Sequence, residues 1–498
     1  MQGDPARPEQ QRGLRNFLLE SVTGQVLVSL TSGTFVTAFA VKLGASNAQI
    51  GILAAIAALS QLLQVPAVYL INRLQDRKPI AAVGFALSKL SWLLIVVPVL
   101  FGARSVPMGL LTATVACSSA FAAVALCTRN SWLRDVIGQD QMGAFFAKRL
   151  AYSKAVGIFT GLAAGIFVTV WAKYSRETLL SSYAILFSAG ILCGLMSVYF
   201  VWTSPEPPRI PIDVKFLSSL LEPFRDRNYR MLIIFLAMWS FSVNLAAPFF
   251  TVYMLQRLHF TVAFVMALAV LSNVMNLIFF RFWGAFADQF SNKGVLAVCA
   301  PLCIICTLSW AFTTLPEPHF LTLPMVVAIH VVVGAASAGV ILASSNIGMK
   351  LSPRAKSASF LAASSIVSSL AAGVAPIIGG LSADYFASRE LSLLLTWKSP
   401  ELDFGLRAIS FRHWDFFFAI AFVLGLYSLR RLSLVQEEGE VQRKVALREF
   451  LQRLRANMLA LTTVRGVRQF ILLPVESLRD FTDDDDILPH ARREGAAK

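Results

Sequence analysis

Twelve long apolar segments constrain this chain more than any other feature of its sequence. Each has about 20 residues or more, enough for a helix to cross a hydrocarbon core of roughly 30 Å. The predicted spans, numbered 1 to 12, are residues 17–41, 49–72, 80–101, 107–128, 151–172, 181–202, 229–254, 261–283, 294–314, 323–346, 358–381 and 414–434. Because 56% of the residues are hydrophobic and 15% charged, we expect an integral membrane protein.

The segments are apolar on all sides and longer than the alternating segments of about ten residues that form barrel strands. We therefore predict an all-α protein. Residues 1–16 are polar and contain Pro5 and Pro8, which is unlike the basic tip and short apolar core of a cleavable signal peptide. Span 1 is expected to remain in the mature protein.

The net charge of +15 indicates membrane topology rather than a nucleic-acid partner, because the basic residues lie between the spans. If the N-terminus is cytoplasmic, the segments on that side carry 20 Lys and Arg before the tail, and the tail from Arg430 carries 13 more. The opposite loops carry 9. An excess of Lys and Arg is typical of cytoplasmic loops, so we predict a multi-pass protein of the cell inner (plasma) membrane with both termini in the cytoplasm.

We predict neither a metal site nor a cofactor. All six cysteines lie in predicted spans, which argues against an extracellular disulfide framework. Cys299, Cys303 and Cys306 share a helix face at a spacing that metal ligands also use, but no histidine or carboxylate accompanies them. Packing of small side chains is the favoured interpretation. The acidic run Asp483–Asp486 could bind a cation, but solvated carboxylates are the favoured interpretation there.

The chain divides into two halves at a polar, proline-rich stretch. The predicted regions are 1–16, an N-terminal segment; 17–202, the first half; 203–228, a linker; 229–434, the second half; and 435–498, a tail with an amphipathic basic helix. Asp76 after span 2 and Asp288 after span 8 are 212 residues apart, and Gly165 and Gly379 are 214 apart. Such similar offsets predict two six-helix halves in the same orientation.

The loops after spans 2 and 8 carry related motifs. After span 8 the chain reads Gly284-Ala-Phe-Ala-Asp288, followed by Lys293, and after span 2 it reads Asn72-Arg-Leu-Gln-Asp76-Arg77-Lys78. A glycine, an aspartate four residues later and then basic residues resemble the loop signature of the major facilitator superfamily. The first copy departs from that signature because Asn72 replaces the glycine.

Two further segments, Asn130–Val136 and Asn244–Phe250, resemble a bacterial subgroup of the same superfamily. The resemblance covers spans 1 to 12 and leaves out the tail. It implies the major facilitator fold, with twelve transmembrane helices in two pseudo-symmetric six-helix halves, and secondary transport by alternating access. We also expect a monomer.

We interpret the paired motifs as gates. An aspartate at a helix end can face the positive N-terminal end of a neighbouring helix, while basic residues tie adjacent loops together in one conformation. The candidate gating residues are Asp76, Arg77, Lys78, Gly284, Asp288 and Lys293. The alternative is that these are ordinary charges that set membrane orientation.

Spans 5 and 11 are rich in glycine, which allows two helices to pack closely and still rock. A proline in span 11 removes one backbone hydrogen bond and is expected to bend the helix. The residues concerned are Gly157, Gly161, Gly165, Gly373, Pro376, Gly379 and Gly380. A static packing seam is the alternative. The loop 383–413 is unusually long, and we expect it either to cap the outer mouth or to have no role.

Ionisable side chains inside spans are costly and are therefore candidates for function. By resemblance, spans 1, 4, 7 and 10 line the central cavity, which favours Glu20, Gln25, Asn244 and His330. Glu20, the one acidic residue placed inside a span, is the candidate for proton coupling, although it could instead snorkel or cap the helix. Lys89 of span 3 could neutralise an anionic substrate, but pairing with Glu20 or a carbonyl is favoured.

The sequence contains no GxxxxGK[ST] loop, no HExxH motif and no nucleophile elbow, so ATP-driven transport and hydrolysis are not predicted. Secondary transport remains. A transporter-like scaffold or assembly factor is the alternative, indicated by the long basic tail, and a membrane enzyme ranks third. The predicted lining mixes hydrogen-bonding and apolar groups without a cluster of cations. It therefore favours a neutral or amphiphilic small organic solute, moved with protons.

Overall fold

The computed structural model describes residues 6–31, 33–74, 76–103, 105–136, 139–175, 178–205, 220–314, 318–353, 356–398 and 403–437. In the first half, the helices of spans 1 to 6 are Ala6–Thr31 with Thr34–Lys42, Asn47–Ser60 with Gln64–Leu74, Arg77–Leu90 with Leu93–Leu100, Met108–Val136, Gln139–Tyr174 and Leu179–Trp202. Those of spans 7 to 12 are Arg227–Gln256, Val262–Phe290, Asn292–Ser309, Thr322–Leu351, Ser357–Phe386 and Trp414–Leu432. The helical prediction is confirmed.

Among the described residues, eleven helical segments are long and apolar enough to cross a membrane, and they correspond to spans 1 to 11. The helix of span 12 is shorter, with 19 residues, and carries Asp415, Arg430 and Arg431. It nevertheless packs along spans 7 and 9, inside the second bundle. Its place in the bundle, rather than its apolarity, makes it the twelfth helix.

The two halves repeat the same packing. In the first half, span 1 packs on span 6, and span 3 packs on spans 4 and 6. In the second half, span 7 packs on span 12, and span 9 packs on spans 10 and 12. The two halves contact each other through two pairs of helices, span 2 with span 11 and span 5 with span 8. The repeat relates these pairs to each other, since span 2 corresponds to span 8 and span 5 to span 11. The sequence offset of 212 to 214 residues therefore corresponds to a structural repeat.

The bundle has two ends. We call the end with the turns 43–46 and 257–261 the hairpin end. The opposite end, with the turn 290–292 and residues 433–437, is the tail end. The centre of the linker, 206–219, and the predicted tail helix and acidic run beyond residue 437 lie outside the described residues.

The long connection before span 12 contains an antiparallel β-hairpin, so the chain is nearly rather than entirely helical. Strand β1 is Glu390–Lys398 and strand β2 is Asp403–Arg412, with an irregularity between Leu393 and Leu394. The predicted all-α fold class is confirmed for the membrane bundle, and this hairpin is a local exception that the sequence did not predict. Apolar residues at every second position of β1, from Leu391 to Trp397, form the period-two pattern of a strand, within a segment too short to span a membrane as a helix.

Candidate functional site

A buried cluster of charged side chains lies inside the first half, where spans 1, 3, 4 and 5 meet. Glu20 of span 1 is 4% exposed. Its Oε1 accepts a hydrogen bond from Arg129 Nη1 at 2.7 Å, and its Oε2 lies 3.7 Å from Arg149 Nη2. Ser21 Oγ lies 3.1 Å from Oε2 and accepts a hydrogen bond from Arg149 Nε. One carboxylate therefore joins three helices of the same half.

The sequence did not single out the two arginines that contact Glu20. Arg129 and Arg149 fall just outside the predicted edges of spans 4 and 5, at 128 and 151, in what the sequence predicts to be a loop. The helices continue past both residues, Met108–Val136 and Gln139–Tyr174. When the end of a helix is predicted from hydropathy, it is placed at the first charged residue. The helix can nevertheless continue past a charged residue whose side chain is paired inside the bundle. The buried Glu20 was the available signal, because an intramembrane carboxylate needs a partner.

Lys89 of span 3 belongs to the same cluster but is not paired with Glu20. Its side chain is buried, and Nζ lies 4.7 Å from the centre of the Phe85 ring. The Arg129 guanidinium lies 5.7 Å from that ring. Among the described residues, no carboxylate lies within ion-pair distance of Lys89, although the charge of Glu20 acts on it. The sequence predicts a cavity lining without a cluster of cations, whereas in the structure Arg129 and Arg149 contact Glu20, and Lys89 and Arg129 lie near the same Phe85 ring.

An apolar layer separates this cluster from the tail end. Phe17 lies one turn before Glu20, and its ring meets the Trp132 ring edge-on at a centroid distance of 5.1 Å. Phe85, Leu133 and Val201 belong to the same buried group. Because this buried layer is apolar, the charged cluster borders a low-dielectric environment on that side.

The other predicted cavity residues lie apart from Glu20. Gln25 Nε2 donates to Ser29 Oγ at 3.2 Å, and Asn244 Nδ2 donates to a carbonyl of its own helix. His330 Nδ1 lies 2.8 Å from the Val326 carbonyl oxygen, and its ring is 5.6 Å from Trp310. None of the hydrogen bonds described for these three residues joins one of them to the Glu20 cluster.

At the hairpin end, spans 2 and 11 pack backbone against backbone across the two halves. A Cβ atom added at Gly380 would lie 2.7 Å from Ala48 Cα, and one at Gly51 would lie 2.9 Å from the Pro376 carbonyl carbon. Gly373 packs against the Leu59 side chain. The helix of span 11 is continuous through Pro376. Gly379 faces span 7 instead, with Leu245 O at 2.5 Å from its added Cβ.

Spans 5 and 8 form the second contact between the halves. Gly161 and Gly165 both face Met266. Thr169 Oγ1 accepts a hydrogen bond from the Ala263 N–H at 3.1 Å. Gly157, by contrast, packs against span 1 within the first half, at Gln25 and Ser29. The glycines of span 5 thus serve two different interfaces.

Asp384, near the end of span 11, binds the first turn of span 2 in the other half. Its Oδ1 accepts from the Asn47 N–H at 3.0 Å and its Oδ2 from the Ala48 N–H at 2.8 Å. A carboxylate at a helix N-terminus is favoured by the free N–H groups and by the helix dipole. This bond therefore stabilises the contact of the halves at the hairpin end.

The gating-motif residues occupy the tail end. Asp288 is exposed, and no ion pair joins it to another described residue. Lys78 Nζ lies 5.8 Å from the Trp202 ring. Asp76 precedes the helix of span 3, and its side chain does not cap that helix. Gly284 lies near Leu342 of span 10.

A second carboxylate, Glu437, binds several groups in the second half at the tail end. It accepts hydrogen bonds from the backbone N–H of Lys293 at 2.7 Å and from Asn292 Nδ2 and Lys350 Nζ at 3.0 Å each. Burial by itself raises the pKa of Glu437, but these hydrogen bonds outweigh it and hold the pKa below its ordinary value. Lys293 Nζ also donates to the Val435 carbonyl oxygen. Glu437 is not among the predicted site residues, because the sequence predicts that it lies in the tail.

The Major Facilitator Superfamily model matches residues 22–376, more than half of the chain. Among solved structures, the nucleoside transporter NupG has a TM-score of 0.61 and 13% identity, covering 85% of this chain and 99% of that one. A D-xylose–proton symporter has a TM-score of 0.61 and 16% identity, covering 86% and 100%. A bacterial homologue of the lysosomal transporter Spinster, inward-facing and unoccupied, has a TM-score of 0.58 and 14% identity, covering 99% and 100%. No curated protein matches the sequence.

Proposed function

Because the chain belongs to the Major Facilitator Superfamily and is a membrane transporter, we propose that it moves a small organic solute by alternating access, coupled to protons through Glu20. Two observations support the parts of this proposal. The symmetric contacts of the halves at the hairpin end support the rocking motion, and the buried ion pairs of Glu20 support proton coupling. The buried ion pairs of Glu20 are the reason to propose a proton-coupled transporter rather than a passive one.

In this proposal the tail end faces the cytoplasm and the protein resides in the cell inner membrane. The excess of basic residues at the tail end supports this orientation. The contacts of Gly51, Gly380 and Asp384 hold the halves together at the hairpin end, which supports an inward-facing conformation in this proposal. The exposure of Asp288 agrees with this state, since a gate at the tail end would be open in it. Rocking about spans 2, 5, 8 and 11 would then give the outward-facing state.

Glu20 has the environment that a coupling carboxylate requires. While it is ionised, Arg129 and Arg149 bind it and tie span 1 to spans 4 and 5. Protonation removes the negative charge, so both arginines lose their ionic partner and the three helices can shift relative to one another. A proton bound on one side can thereby change how the first half packs, and its release on the other side restores the ion pairs.

The test uses purified protein, first in a thermal-shift screen of metabolites, drugs and lipids, and then in proteoliposomes with an imposed proton gradient. We expect a stabilising solute to drive proton entry in the wild type. Glu20→Gln should retain solute binding and lose the dependence of flux on the gradient. Glu222→Gln is the matched control, since this exposed carboxylate pairs with Lys356 at the tail end.

Undiminished gradient-driven flux in Glu20→Gln would remove this residue from the mechanism. Binding of a protein partner, with no solute flux in the wild type, would instead support a scaffold or assembly role.

A further inference from the structure

We propose that the solute is an organic anion, and that its carboxylate or phosphate binds the cations around Glu20 when Glu20 takes up a proton. This inference rests on the proposed transport function and specifies the substrate class for the same site. It starts from the charges of the cluster. Lys89, Arg129 and Arg149 contribute three positive charges, and Glu20 contributes one negative charge. Counted over the described side chains, the buried cluster therefore has a net positive charge even with Glu20 ionised.

Two donors in this cluster have no partner among the described residues. Arg129 Nε is buried without a hydrogen bond, and the whole residue is 7% exposed. Lys89 is 6% exposed, and the contact that the described residues give its ammonium is with the face of the Phe85 ring. A buried charge without a counter-ion is costly, and a cation–π contact replaces only part of the lost hydration. The unsatisfied groups are donors and cations, so the chemistry they would recognise is that of an anion.

Further positive charge faces the other half along span 5. Lys154 Nζ donates to Asn273 Oδ1 of span 8 at 3.2 Å, across the two halves. An amide oxygen is a neutral partner, and no described carboxylate lies within ion-pair distance of Lys154. Arg149 is the most exposed member of the buried cluster, with 14% of its side chain accessible. Arg149 and Lys154 therefore present positive charge on the helix that contacts the opposite half.

The position of Glu20 among these cations couples the anion to a proton. When Glu20 is ionised it occupies Arg129 and Arg149, and when it is protonated both arginines are available. A bound anion repels an ionised Glu20 and so favours the protonated form. By linkage, protonation of Glu20 then favours anion binding to the same extent. Anion and proton are expected to bind together and to move in the same direction.

The experiment compares anionic solutes with neutral counterparts, two of them near-isosteric amides and one the dephosphorylated alcohol. The probes are succinate and succinamide, benzoate and benzamide, and glycerol 3-phosphate and glycerol, each added to the purified full-length protein against sodium chloride at equal ionic strength. We expect the anionic member of at least one pair to raise the melting temperature, and its neutral counterpart to have no effect. Binding of that anion in weakly buffered solution should take up protons from the medium, and Glu20→Gln should bind it without proton uptake.

Three variants separate recognition from folding. Arg149→Gln should weaken binding of the anionic probe by about 10- to 100-fold, the loss expected for a charge-assisted hydrogen bond, and Arg149→Lys should restore part of it. Lys89→Met should also weaken binding, yet raise the melting temperature of the ligand-free protein, since it removes a buried charge that lacks a counter-ion. Lys173→Gln, at an exposed site at the hairpin end, should change neither the binding of the anionic probe nor the melting temperature.

The proposal is overturned if none of the anionic probes stabilises the protein beyond sodium chloride, or if the neutral member of a pair binds as tightly as the anionic one. The results that would refute the anion site differ from those that would refute the transport function. Proton-driven flux of a neutral solute would refute the anion site and leave transport intact. Anion binding that Arg149→Gln abolishes, with no flux in wild-type proteoliposomes, would establish the site and refute transport.

Discussion

A single methyl group at Gly380 should shift the protein away from closure at the hairpin end. In Gly380→Ala the new Cβ would lie 2.7 Å from Ala48 Cα, whereas ordinary contact begins at 3.4 Å. Both partners are helix backbone and cannot turn aside as a side chain could, so the halves must separate by about 0.7 Å or more to relieve the overlap. Overpacking of this kind costs about 1–3 kcal/mol. It is relieved in the open state, so the ratio of open to closed molecules should rise roughly 5- to 150-fold.

The shift can be measured as a distance distribution between spin labels at Lys42 and Gln256, both exposed at the hairpin end, in a background without the native cysteines. Gly380→Ala should increase the long-distance component. Gly109→Ala is the control, because it is the same substitution in a helix and an added Cβ there has nothing within 4 Å. If the two variants give the same distribution as the wild type, the close approach of spans 2 and 11 does not hold the halves together.

Three further changes test other contacts. Because the pKa of Glu437 is held low in the folded protein, its stabilising effect should be present above about pH 4.3, the unfolded value, and lost as the pH falls through the lower folded value. Glu437→Gln should therefore lower the free energy of unfolding by about 1.5–3 kcal/mol near neutral pH, and by less at acidic pH. Melting experiments at several pH values measure this, and a loss of stability that is independent of pH would contradict it. Asp384→Ala should favour the state that is open at the hairpin end by about 0.5–2 kcal/mol, as measured in the spin-label assay. Ser46→Ala is the control, because it removes a helix cap within one half and should not change this equilibrium. Equal shifts in the two variants would refute the role of Asp384. Asp288→Asn should impair flux more than Asp76→Asn at matched expression, because the second motif has its glycine, and the reverse ranking would show that this asymmetry is misjudged.

The fold was predictable because each span must satisfy a strong local requirement. About 20 consecutive apolar residues leave a segment such as Leu179–Trp202 no stable alternative to a membrane helix. The repeat was predictable from a few spaced residues, such as Asp76 and Asp288. The β-hairpin was missed because its period-two pattern lies within the long connection before span 12, where the apolar signal of the neighbouring spans dominates the sequence.

The candidate site was only partly predictable, for a physical reason. Glu20 stands out in an apolar segment, so its position alone marks it. Arg129 and Arg149 look like loop charges in the sequence, and their burial depends on how far two helices extend and which faces they turn inward. The contacts of Gly380 and Asp384 with span 2 join residues more than 300 positions apart, and no local pattern encodes such pairings. Glu437 likewise acquires its role from the packing of span 12 beside span 9.

The backbone N–H groups in the first turn of span 2 donate hydrogen bonds to acceptors from both halves of the protein. Within its own half, Ser46 and Gln49 form a reciprocal pair, in which the Gln49 N–H binds Ser46 Oγ and the Ser46 N–H binds Gln49 Oε1. The two N–H groups between them bind Asp384 of the opposite half. When the halves part, the reciprocal pair keeps the helix from fraying, and water replaces Asp384 at a surface that is already exposed. Span 2 can therefore leave and rejoin span 11 as a preformed helix, so that each opening exchanges two hydrogen bonds with solvent and requires no refolding.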